Sequence, residues 1–170
     1  MKRIHVVFAA VTLGVVLFAA LPRRLGGQAG DSPQNSASFP DERDLAAKKK
    51  TLLSESTDLE EMGKSLKGRN FDTALRVDQK AQQGIMELDS ALWLLGIYDN
   101  MQCAPDREIA KTALKNRLAF YSYLLGLEAD QVAGDLTFAN SLATLQTELR
   151  VKDELRAAKS KLDEIVSSVQ

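Results

Sequence analysis

From Asp41 onward, apolar residues recur at helical spacing, and no stretch alternates as a strand would. Leu45, Leu52, Leu59 and Leu66 stand seven residues apart, with Leu53 and Met62 beside them. That is a narrow amphipathic stripe. Gly68 interrupts it, and Asn70 is placed to cap the next helix by accepting a backbone N–H bond. A second helix is expected from Phe71 to about Met101. Phe71, Ala74, Ala81, Ile85, Leu88, Leu92 and Leu95 form its stripe, and Asp78 interrupts it.

A third helix opens at Pro105, whose fixed φ suits a first helical turn. Asp106 and Glu108 complement the positive end of its dipole. Ile109, Ala113, Phe120, Leu124 and Leu127 carry its stripe onward. The spacing places a turn at Gly134-Asp135, although the apolar phase runs on through Phe138 and Leu142, so one long kinked helix is the alternative. The final stripe uses Phe138, Leu142, Leu145 and Leu149, slips in phase, and finishes through Val151, Leu155, Ala158, Leu162, Ile165 and Val169. Helices of similar length joined by short turns pack as antiparallel neighbours. The pattern therefore predicts an all-α body over 41–170, either an antiparallel four-helix bundle or elongated coiled-coil-like hairpins. There is no 34-residue repeat.

Two segments are more apolar than a bundle stripe requires, Ala91–Tyr98 (ALWLLGIY) and Leu118–Leu127 (LAFYSYLLGL). A hairpin centred near Cys103 sets them side by side. Either they belong to the two most buried helices, or they expose an aromatic surface made of Trp93, Tyr98, Phe120, Tyr121 and Tyr123. Such a surface docks a protein partner, a second copy, or an apolar ligand.

Ahead of this body lies a different kind of sequence. Two basic residues, Lys2 and Arg3, precede an uncharged run of 18 residues from Ile4 to Leu21. This fits a secretory signal peptide and also reaches the length of a membrane-spanning helix. Gly27-Gln28-Ala29 offers a cleavage site after Ala29, whereas Arg23 and Arg24 favour retention as an anchor. Residues 1–29 are thus expected to direct export, with membrane contact only through residues 4–21 if they are retained. Residues 30–40, rich in Ser, Pro, Asn and Gln, read as a flexible linker. The expected location is periplasmic or secreted, or inner-membrane anchored.

Charge narrows the function classes. Residues 30–170 hold 18 basic and 23 acidic side chains, and no basic stripe is present, which argues against a nucleic-acid partner. The only histidine, His5, lies in the leader. A processed chain therefore lacks histidine-based triads, a histidine-ligated haem, the Glu-x-x-His di-iron motif and most zinc sites. Neither a glycine-rich phosphate loop nor Cys-x-x-Cys occurs. Carboxylates lie close in sequence at Glu60-Glu61, Glu87 with Asp89, and Glu128 with Asp130, and serve acid–base chemistry only if the fold buries them together. No cofactor is expected. Cys103 is the only cysteine, read as filler in a turn, with an interchain disulfide as the alternative. The reading is a non-enzymatic exported scaffold or interaction protein of the cell envelope. The alternative is a carrier holding a lipid or small apolar ligand between its helices.

Overall fold

The computed structural model describes residues 42–137 and 142–169, which form four α-helices and no strand. The expectations for the leader, the linker and Phe138 lie outside the described residues. The helices are α1 (Glu42–Gly63), α2 (Arg69–Asp99), α3 (Ala104–Leu136) and α4 (Leu142–Ser168). Acidic residues sit in the first turns of α1, α2 and α3, where they complement the positive end of the helix dipole.

The α1–α2 turn corrects one expectation. Gly68, not Asn70, takes the N-cap position of α2, at φ 58°, and Asn70 falls inside the first turn. The chain reverses through a left-handed residue there, which glycine adopts without a Cβ penalty. Pro105 lies one residue inside α3, and Cys103 precedes the helix in extended backbone with no side-chain capping bond. The Gly134-Asp135 boundary also moves, because α3 continues through both residues to Leu136. The α3 and α4 segments are separate helices packed against each other, not one kinked rod.

Cross-helix bonds fix the orientation. Ser56 meets Asp78 and Lys49 meets Asp89 between α1 and α2. Ser122 meets Asp163 and Arg156 meets Asp130 between α3 and α4. Lys161 meets Asp44 and Arg150 meets Glu55 between α4 and α1. On each pair one number rises as the other falls, so neighbours run antiparallel. The bundle is a rhombus in cross-section. Helices α2 and α4 touch along its short diagonal, while α1 and α3 stay apart. Small residues permit that approach. Alanines 74, 81, 91 and 158 are buried, and a Cβ added at Gly84 would overlap Leu155 Cδ2 and lie 3.4 Å from Leu125 Cδ2.

Leu45, Leu52 and Leu59 are fully buried as their spacing predicts, and so are Val151, Leu155, Leu162 and Ile165. Helix α3 departs from expectation. Its buried residues are Leu114, Leu118, Ser122, Leu125, Glu128, Ala129 and Val132, and of the predicted stripe Ile109, Ala113, Phe120 and Leu127 are exposed while Leu124 is half-buried. This helix carries apolar residues at helical spacing in two phases. The bundle buries the phase that alternates leucine with small residues, and this phase lets α4 come close. Phe71, Leu142 and Leu149 are likewise exposed.

The two hairpins correspond to each other. Thr73-Ala74-Leu75-Arg76-Val77 in α2 and Thr147-Glu148-Leu149-Arg150-Val151 in α4 match at an offset of 74 residues. At the same offset the buried positions Val77, Gly84, Leu88, Ala91 and Leu95 of α2 fall on Val151, Ala158, Leu162, Ile165 and Val169 of α4. Leu45, Leu52, Glu55 and Leu59 of α1 fall on Leu118, Leu125, Glu128 and Val132 of α3 at an offset of 73. Arg76 donates to Thr73 and to Asp135 on α3, and Arg150 likewise to Thr147 and to Glu55 on α1. The bundle is therefore two helical hairpins of equivalent register.

Candidate functional site

The surface of the bundle is uneven. On the outward side of α2, Met86 (68% exposed), Trp93 (67%) and Ile97 share a stripe with Gln79, Gln83 and Ser90. On the outward side of α3, Ile109 (78%), Phe120 (49%) and Leu127 share a stripe with Ala113, Asn116 and Gln131. Gln82 bonds Ser56 of α1 and Arg76 bonds Asp135 of α3, so helical periodicity sets Met86 and Ile97 between these two flanks of α2 and turns Trp93 toward the α1 flank. Between the two stripes, where α2 meets α3, lie the exposed Arg117 and the partly exposed Lys80 and Glu87. The outward side of α1 carries Arg43, Lys50, Asp58 and Glu61 with Leu53 toward α2, and that of α4 carries Asp153, Arg156 and Glu164 with Leu142 and Leu149.

The five aromatic residues singled out from the sequence do not form one cluster. Trp93 lies on the outward face of α2, turned toward the α1 flank, and Phe120 lies on the outward face of α3. Tyr123 (63% exposed) sits at its edge nearest α4. Tyr98 and Tyr121 are half-buried against the core. Tyr98 stacks under the Arg107 guanidinium, 4.9 Å from the ring centroid, which ties the end of α2 to the start of α3. Tyr121 has the Phe120 ring tilted against it at 6.0 Å. Trp93 points to solvent and not into the space between helices. Cys103 is an exposed free thiol in the α2–α3 turn.

Carboxylates assemble in a way that their sequence neighbours do not indicate. Asp89 pairs with Lys49, and Asp130 with Arg156. Glu87 and Glu128 instead approach each other across the α2/α3 interface, with Lys80 nearby. Burial, and then the charge of Glu128, push the Glu87 carboxyl up to about 7, against the opposing effect of Lys80. Burial also raises Glu128, again opposed by Lys80. Glu148, only 1% exposed, sits among the fully buried residues of α4. Burial raises its carboxyl, and Asp135 adds to this while the Thr144 hydroxyl works in the other direction. Each of the three has a buried carboxyl oxygen without a hydrogen-bond partner among the described residues, which favours the protonated form. Glu148 was legible in principle, since it stands seven residues before the core residue Leu155.

Asp163 behaves oppositely. Burial works against its ionisation, but hydrogen bonds from Lys159 and Ser122 outweigh this and hold its carboxyl below the usual range. Among the described residues, no group of histidine, cysteine, aspartate and glutamate is arranged to hold a metal ion. A shallow depression of about 370 Å³ lies at the Cys103 end, lined by Tyr98, Arg107, Glu108, Lys111 and the C-terminal end of α4. Its lining mixes charged with apolar side chains. Comparison of the chain with protein-family models, curated proteins and solved structures returned no match.

Proposed function

We propose that the chain is a non-enzymatic interaction module that docks a protein partner on the side formed by α2 and α3. One observation carries this reading, the concentration of large exposed apolar and aromatic residues on α2 and α3, against the more charged outward faces of α1 and α4, which expose Leu53, Leu142 and Leu149. A solvated helix face ordinarily carries charge. Here the outward faces of α2 and α3 expose Met86, Trp93, Ile97, Ile109, Phe120 and Leu127, with Arg117 exposed and Lys80 and Glu87 partly exposed between them. Aromatic and methionine side chains set among neutral polar groups have the composition of protein interfaces, in which charged residues are depleted at the centre. The leader and linker supply the setting. An apolar run at residues 4–21 followed by a polar linker delivers the bundle to the outside of a membrane, free or tethered.

The test is the size of the assembly in a gentle extract of the native host. The wild-type chain is expected to migrate above its monomer mass, and the Met86→Glu/Phe120→Glu double variant at that mass with unchanged helicity. An assembly that survives both substitutions in a folded protein would place the partner elsewhere.

A further inference from the structure

We infer that the seam between α2 and α3 is a pH-sensitive latch. It is closed while Glu87 and Glu128 are protonated, and when they ionise α2 parts from α3 while α4 and α1 stay together. The correspondence between the hairpins supplies an internal control. The hairpins meet along two seams, α4 with α1 and α2 with α3, and the offsets of 74 and 73 residues carry one seam onto the other. Three ion pairs cross the α4–α1 seam, Lys48 with Glu154 at 3.1 Å, Glu55 with Arg150 at 3.0 Å and Asp44 with Lys161 at 3.6 Å. Their counterparts in the α2–α3 seam are Tyr121 with Lys80, Glu128 with Arg76, and Arg117 with Glu87.

The second seam does not repeat these pairs. Arg76 is held by Asp135 at 2.8 Å and by Thr73, and Arg117 is exposed. Glu87 and Glu128 meet each other instead, with Lys80 as the cation that acts on both. Glu128 is 6% exposed, and each glutamate has a buried carboxyl oxygen without a hydrogen-bond partner among the described residues. The flanking helices bring no further cation. Helix α4 turns Arg156 and Lys159 toward α3, where they engage Asp130 and Asp163, and α1 turns Lys49 toward α2, where it engages Asp89. Protonated, the two acids fit a seam that excludes water. Ionised, they set two like charges against one cation, and parting the helices hydrates both.

Distances between spin labels, read by double electron–electron resonance on the full chain in mild detergent with Cys103→Ala, test this. The pair Gln83→Cys/Gln131→Cys reports the α2–α3 seam, and the pair at the equivalent positions, Ala157→Cys/Asp58→Cys, reports the α4–α1 seam. Glu87 titrates at about 7 in the closed seam and near 4.5 once hydrated, so the open-to-closed ratio is expected to rise about fiftyfold from pH 5 to pH 8. A longer 83–131 distance is expected to grow in over that range, with the 58–157 distance unchanged. Glu87→Gln/Glu128→Gln is expected to keep the short distance at both pH values with unchanged helicity. So is Glu87→Lys/Arg117→Asp, which gives this seam the charges of Lys161 and Asp44. An 83–131 distance that does not respond to pH overturns the inference. An equal change at 58–157, or a response that either folded variant keeps, overturns it as well.

Discussion

At the scale of single residues, the bundle stores acid where a core holds carbon. Glu87 binds its proton up to about pH 7 in the folded chain, whereas an unperturbed glutamate releases it near 4.5. Between those values the folded chain holds more protons than the unfolded chain, so stability falls as pH rises through that window and levels off above it. Glu128 and Glu148 are raised as well and add in the same direction. Asp163 is lowered, so its contribution is present above the ordinary aspartate pKa of 3.8 and is lost on acidification below it. Urea unfolding is therefore expected to give a higher midpoint at pH 5 than at pH 7.5. A midpoint that rises over that interval would refute the buried-carboxyl account. Glu148→Leu should raise stability at pH 7.5 by about 1–3 kcal/mol, by removing a buried carboxyl that has no cation paired with it. It should also flatten the pH dependence, whereas Asp153→Leu on the exposed side of α4 should do neither. None of this was visible as sequence pairs. The acids meet across helices, and only the core spacing of Glu148 pointed inward.

At the scale of helices, the short diagonal between α2 and α4 decides the packing. Gly84 is its tightest point, so Gly84→Ala should destabilise by about 1–3 kcal/mol through overlap with Leu155. Combining it with Leu155→Val should recover part of the loss in a double-mutant cycle, because the two sites share one space. Simple addition of the two effects would contradict the close approach. The helices themselves were legible. Leu45, Leu52 and Leu59, and the run Val151 to Val169, identify buried stripes because polar residues surround them. Helix α3 was not legible in the same way. It is apolar in two phases, and periodicity does not say which one the neighbours will cover. The duplicated hairpin was hidden for a related reason. Its halves share the Thr-x-Leu-Arg-Val run and a burial register but little else, and the register becomes visible only once the buried positions are known.

At the scale of the whole molecule, the account turns on one side of the bundle differing from the other. Equivalent positions in the two hairpins have been filled in opposite ways, serine and alanine on α4 and α1, methionine, tryptophan and phenylalanine on α2 and α3. The apolar excess around Trp93 and Phe120 is plain in the sequence, but burial and exposure produce the same apolar run, so periodicity does not separate them. Tyr98 and Tyr121 went inward, Trp93, Phe120 and Tyr123 outward, according to which turn of each helix meets its neighbours. The most direct measurement is site-specific photo-crosslinking in the native host, with the probe placed in turn at positions 86, 120, 47 and 160. Polypeptide adducts from 86 and 120, and none from their counterparts 160 and 47, are the expected result. Equal adducts from all four positions, or adducts from 47 and 160 alone, would contradict the claim that the α2/α3 side is where this protein meets its partner.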